Sequence, residues 1–216
     1  MGMIYLVRAA ATVNDGKNYP KLLGRQVPQG LSETGKKQAQ NLAVHLAKRN
    51  ITAIYTSSMS AAVQTARAIR ADHEVPLTFC SSLVEANFGT WEGQELAQLV
   101  RDPYHPQFMG GVGFPEGETF KQVCRRTYQY IKQLAETHAH DRIVVVSHEY
   151  PLRALICHLC KVPFSRMREV DQEPGRVSLV RVFRGVLELK AVNNDLAYVE
   201  EDMEEPCDTF SVSQSP

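Results

Sequence analysis

Two short apolar runs with the same layout constrain this chain more than any other feature. Ile4-Tyr5-Leu6-Val7 ends at Arg8, and Ile143-Val144-Val145-Val146 ends at Ser147-His148. Neither run alternates apolar with polar residues, so each suits a strand buried on both faces, as in a parallel sheet covered by helices. Ligands of such sheets bind in the crevice beyond the carboxyl ends of the strands. Arg8 and His148 stand at those ends, which makes them the first candidates for binding chemistry.

The segments between the runs fit the same architecture. Residues 13–30 carry Asn, Asp, Gly, Lys and Pro without apolar period and read as a loop over the crevice. Ser32 is the expected N-cap of a helix that runs to Asn50, with Ala39, Leu42, Ala43 and Leu46 on its inner face. A strand at 52–56, a helix at 57–72 and a strand at 76–79 follow. Residues 82–117 are irregular and hold two clusters of aromatic residues and glycine, a pattern expected of a lid over the crevice. A long amphipathic helix spans 119–138, with Phe120, Val123, Tyr128, Ile131 and Leu134 facing the core. Another helix spans 151–160, and strands at 177–183 and 186–192 pair as a hairpin across Arg184-Gly185. The expected fold is one α/β domain over residues 1–199, with a mainly parallel sheet, flanking helices and a small lid at about 86–117. Residues 200–216 shift to acidic residues, Ser, Gln and Pro, and read as a disordered tail.

Composition excludes several classes of partner. Lys+Arg and Asp+Glu balance at 24 each in the 216 residues, so no net field recruits nucleic acid or an anionic membrane. No apolar run reaches the ~18 residues of a membrane span, and no signal peptide is read before the first strand. Five cysteines without framework spacing point to reduced thiols and a cytoplasmic setting. Cys157-His158-Leu159-Cys160 lies in an apolar helical run with no second ligand pair, so it reads as a buried helix rather than a metal or redox site.

Four ordered landmarks give the chain a family resemblance. They are Ile4 to Arg8; Gly24-Arg25 with Leu31-Ser32-Glu33-Thr34-Gly35 and Gln38-Ala39; Tyr55 to Ala66, with Gln64-Thr65-Ala66; and Leu83-Val84-Glu85, Gly89-x-Trp91-Glu92-Gly93, Pro115-Glu116-Gly117-Glu118 and Val145-Val146-Ser147-His148. Together they resemble the histidine phosphatase superfamily, the phosphoglycerate mutase-like enzymes. In that family a histidine after the first strand attacks phosphorus and carries a phosphohistidine, which water then hydrolyses. Arginines and a second histidine hold the phosphoryl oxygens, and a carboxyl group serves as acid and base. The resemblance implies phosphate binding by Arg8 and His148, acid–base work by Glu85 and turnover without a metal or other cofactor. It leaves Arg25 and Asn14 as possible substrate contacts, Asn14 sharing its place with Asp15.

The departures from the family are as informative as the matches. Ala9 stands where the family has its nucleophile, and Ala61 where it has a second phosphate arginine. Losing a catalytic nucleophile costs on the order of a millionfold in rate in another hydrolase class. Two distant sites both reading alanine, while Arg8, Glu85 and His148 persist, suggest deliberate truncation of a parent enzyme rather than drift. Glu149 departs too, because a carboxylate beside a dianionic phosphate is unfavourable unless it points away or meets a cation. The expectation is therefore a parent phosphatase acting on a small phosphorylated metabolite, with a cationic group near the phosphate as one reading of Glu149. Three alternatives stand beside it: a natural pseudophosphatase that binds a phosphorylated ligand or partner, non-phosphoryl acid–base chemistry by Glu85 and His148, and mutase-type transfer. The sequence does not specify an oligomeric state.

Overall fold

The computed structural model describes residues 1–15, 21–25, 29–71 and 73–196. Its centre is a six-stranded sheet of β1 (Gly2–Arg8), β2 (Ile51–Thr56), β3 (Leu77–Phe79), β4 (Arg142–Ser147), β5 (Val177–Phe183) and β6 (Val186–Asn194), in the order β3-β2-β4-β1-β5-β6. β1 to β4 run parallel, and β5 lies antiparallel to both β1 and β6. Arg8 pairs with Ser147 in the β1–β4 register. The two strand ends therefore finish level, and His148 emerges beside Arg8.

The apolar runs are continuous because both sheet faces are covered. Ile4, Leu6, Ile143 and Val145 enter one core with the long helix α5 (Phe120–Thr137) and α6 (Glu149–Leu159). Tyr5, Val7, Val144 and Val146 enter the other, with α1 (Glu33–Leu46) and α2 (Ser60–Arg70). Period-2 geometry sends successive side chains to opposite faces, and here each face meets helices.

Several boundaries differ from the sequence reading for local reasons. α1 ends at Leu46, four residues before Asn50, which takes a left-handed φ of 45°. Ser32 does cap it, accepting from the Gly35 amide at 3.1 Å. Gly35 packs so closely that an added Cβ would sit 1.9 Å from the Ala11 carbonyl oxygen. α2 begins at Ser60 rather than Ser57, because the Ser57 hydroxyl accepts from the Met59 amide and holds that turn out of the helix. α6 begins at Glu149, two residues earlier than expected, with Pro151 in its first turn. The hairpin turn is Arg184-Gly185, both at positive φ.

Residues 86–117 are more ordered than a loop. They contain the short helices α3 (Leu96–Leu99) and α4 (His105–Met109) and bury Phe88, Trp91 and Phe114. Phe108 packs at centroid distances of 5.3 Å from Trp91 and 5.5 Å from Phe114. Tyr150, at the start of α6, stacks on Phe120 and meets the Phe114 ring at 5.0 Å. This aromatic cluster ties the insertion to the helices beneath it. The expected tail at 200–216 lies outside the described residues.

Candidate active site

A cavity of about 790 Å³ opens at the carboxyl ends of β1 and β4. Arg8, Ala9, Asn14, Arg25, Ala61, Glu85, His148 and Glu149 all line it. Its floor is the turn after β1. The Ala9 amide donates to the Ser147 carbonyl at 2.9 Å, and the Ala10 amide to Thr65 Oγ1 at 3.0 Å. The Ala11 amide donates to Gln38 Oε1 at 2.9 Å, and the Leu31 amide to Gln64 Oε1 at 3.3 Å. Thr65 and Gln38 thus satisfy amides of the turn after β1, and Gln64 one of the segment that leads into α1. Ala9 and Ala61 are both buried, 7% and 6% exposed, so each contributes a methyl group to the cavity lining.

On one wall, Arg8 meets a carboxylate directly. Its Nη2 lies 2.9 Å from Glu149 Oε2 and 3.8 Å from Asp15 Oδ1, while Nη1 donates to the Gln172 carbonyl. The other Glu149 oxygen lies 2.8 Å from Nη1 of Arg153, one turn along α6. Glu149 therefore meets cations supplied by the protein itself. Asn14 closes its own loop, its amide group donating to the Lys21 carbonyl and accepting from the Lys21 amide.

The adjoining wall carries Glu85, whose carboxyl also meets the first turn of α6. Its Oε1 accepts from the Ala86 amide at 2.8 Å and the Tyr150 amide at 3.2 Å. Burial pushes its pKa up to about 7, reinforced by Glu149 and opposed by those amides and Arg8. Its main-chain carbonyl accepts from Arg25 Nε at 2.7 Å and Arg126 Nη2 at 3.1 Å. Arg126 also donates to the Ser82 carbonyl and, through Nε, to Glu118 Oε1 at 2.9 Å. Burial raises the Glu118 pKa, but the bonds from Arg126 and the Asn87 amide outweigh it and hold that carboxyl below its ordinary value. Burial lowers the Arg25 pKa.

His148 closes the floor, 8% exposed, with Nε2 2.8 Å from Ser57 Oγ. Burial, then the positive charges of Arg8, Arg126 and Arg25, push its pKa down to about 3. Held that low, the imidazole is neutral at pH 7. Arg126, Arg153, Ser57 and Tyr150 escape the sequence reading. Arg126 follows Val123 by three residues at the border of the apolar stripe on α5, the one signal that would mark it.

The arrangement is a cationic crevice with a protonatable carboxyl on one side, suited to holding a phosphoryl group and supplying a proton. Comparison with known proteins points the same way. Phosphoserine phosphatase 1 of Hydrogenobacter thermophilus is 29% identical over 158 residues, covering 70% of this chain and 74% of that protein. The adenosylcobalamin/alpha-ribazole phosphatase of Escherichia coli is 26% identical over 202 residues, covering 91% and 98%. Among solved structures, a histidine-to-alanine mutant of the Entamoeba histolytica phosphoserine phosphatase in complex with phosphoserine superposes with a TM-score of 0.80 at 25% identity. It covers 90% of this chain and 98% of that one. Bacillus stearothermophilus YhfR shares the fold at a TM-score of 0.82 and 23% identity, over 90% and 98% of the two chains. The sequence profile of the histidine phosphatase superfamily (branch 1) matches residues 4–195, and the chain belongs to that superfamily.

Proposed function

We propose that the chain is a metal-independent phosphomonoesterase scaffold for a small phosphorylated metabolite, and that it stands in a form disabled at Ala9 and Ala61. The observation that carries this reading is the convergence of Arg8, Glu85 and His148 on Ala9 and Ala61 in one cavity. With histidine at position 9, its ring nitrogen would attack phosphorus while the ester oxygen leaves with the proton of Glu85. Water would then attack the phosphohistidine and give its proton to the Glu85 carboxylate, releasing inorganic phosphate. A carboxyl held near 7 suits both halves of that exchange. His148, pushed down to about 3, is a weak base, which favours phosphoryl binding over the alternative acid–base pairing with Glu85.

The names of the relatives support small esters, phosphoserine and alpha-ribazole phosphate among them. An ester with an ammonium group fits Glu149, whose carboxylate would meet that group once phosphate occupies Arg8. Segment 86–117 serves as the lid that selects the substrate, with Phe88 and Tyr150 presenting its aromatic cluster to the cavity.

The test is phosphate release from an aryl phosphate and from O-phosphoserine by the chain as it stands and by the Ala9→His, Ala61→Arg double variant. Turnover confined to the double variant, with a gain on the order of a millionfold, is the expected result. A double variant that still binds esters without turnover would overturn the reading in favour of a binding protein.

A further inference from the structure

The phosphate seat that Arg8 would provide is already occupied by an anion, the Glu149 carboxylate, at 2.9 Å. That carboxylate divides itself, one oxygen on Arg8 and the other 2.8 Å from Arg153 Nη1. Arg153 has no other carboxylate to hold among the ion pairs of the described residues, and its buried Nε has no hydrogen-bond partner among them. The side chains of Arg8, Arg153 and Glu149 are 17%, 15% and 25% exposed, so the three groups sit at the cavity wall and are only partly screened by solvent.

We infer that Glu149 is a displaceable occupant of the Arg8 anion site, held in reserve by Arg153, and that it sets which phosphate esters the cavity accepts. This rests on the proposed reading of Arg8 as the phosphate ligand. A tethered carboxylate competes at an effective concentration on the order of millimolar, so a weakly held monoanion does not enter. A phosphate dianion offers more charge and three acceptor oxygens, and it has the neutral His148 within the same cavity to complete its contacts. When phosphate takes Arg8, the carboxylate stays paired with Arg153 through the bond it already makes to Nη1. The unfavourable pairing of carboxylate and phosphate is thereby avoided without moving the backbone of α6. An ester that brings its own ammonium group gives Glu149 another partner and so gains over one that does not.

Calorimetric titration with inorganic phosphate tests this on the full chain. Glu149→Gln is expected to tighten phosphate about tenfold, since the competitor loses its charge and its charge-assisted bond. Glu149→Ala should do the same, and serves as the check if the amide variant folds poorly. Arg153→Met should weaken phosphate about threefold by removing the reserve site. Equal or weaker phosphate binding by both Glu149 variants would overturn the inference, as would a failure of the chain and both variants to bind phosphate. Arg8→Met separates the two levels. If phosphate binding survives that change, the reading of Arg8 fails; if it is lost while the Glu149 variants bind as the parent does, only the displacement fails.

Discussion

The two walls of the cavity hold carboxylates by opposite means. On the Glu85 wall the arginines spend their donors on main-chain carbonyls and on Glu118, fixing the loop, while the Glu85 carboxyl itself receives, among the described residues, two amides, one of them from α6. On the α6 wall each oxygen of Glu149 meets a guanidinium, and main chain takes little part. The first arrangement builds a rigid frame around a group that prefers to keep its proton. The second leaves an ion pair with one bond per oxygen, easily exchanged for a ligand. Position and charge are thus handled by different residues on each side, which is what a site that must both orient a proton and admit an anion requires.

The largest effect should come from removing the frame. Arg126 bridges Ser82, Glu85 and Glu118 with its side chain 18% exposed. Arg126→Leu leaves the Ser82 carbonyl and Glu118 Oε1 without their donor and takes one of two donors from the Glu85 carbonyl, and is expected to cost about 3–5 kcal/mol in urea unfolding. A loss below about 1 kcal/mol would erase the contrast, because the Glu85 wall would then be no more structural than the other.

Glu85→Gln sharpens the comparison through its pH dependence. The folded chain keeps the Glu85 proton up to about pH 7, whereas the ordinary carboxyl value is 4.5. Between those values the unfolded chain is ionised while the folded one is not, so stability falls as pH rises through that window. Above pH 7 the cost is roughly 3 kcal/mol, and below 4.5 it vanishes. The amide variant still accepts from Ala86 and Tyr150 and has no proton to lose. It should therefore be more stable than the parent by roughly 2–3 kcal/mol at pH 8 and nearly equal to it at pH 4. His148 contributes the reverse trend, losing stability as pH falls from 6.5 toward 3, but it is common to both chains and cancels in the difference. A variant no more stable at pH 8 would mean that Glu85 is not strained by burial.

How much of this was legible in the sequence follows from the range of each interaction. β1 and β4 were readable because continuous apolar runs report burial on both faces, a property each of those strands carries in itself. Gln64-Thr65-Ala66 was readable only as a motif. Its physical role, satisfying the Ala10 amide after β1 and the Leu31 amide before α1, joins residues more than thirty positions apart. Arg126 was hidden for the same reason, since its partners lie about forty residues upstream on an irregular loop. Glu149 shows the limit from the other side. Charge repulsion predicted that it must point away or meet a cation, but only the fold shows that Arg8 and Arg153 are the cations. The ends of α1 and α2 moved because single residues, Asn50 and Ser57, chose turn conformations over helix.

The smallest stability effect should belong to Glu149, although its effect on ligand affinity is among the clearest. Glu149→Gln removes a charge from a side chain that is one quarter exposed and keeps an oxygen able to accept from one of the two guanidiniums. Arg8 retains the Gln172 carbonyl and Asp15, so it is not left alone in a dry site. Partly exposed ion pairs of this kind are worth about 1 kcal/mol or less, and the unfolding free energy at pH 7 should move by no more than that. A loss above about 2 kcal/mol would place the Arg8-Glu149-Arg153 chain in the frame itself. A carboxylate that the fold depends on cannot also be one that a ligand displaces, so that single number bears on stability and on specificity at once.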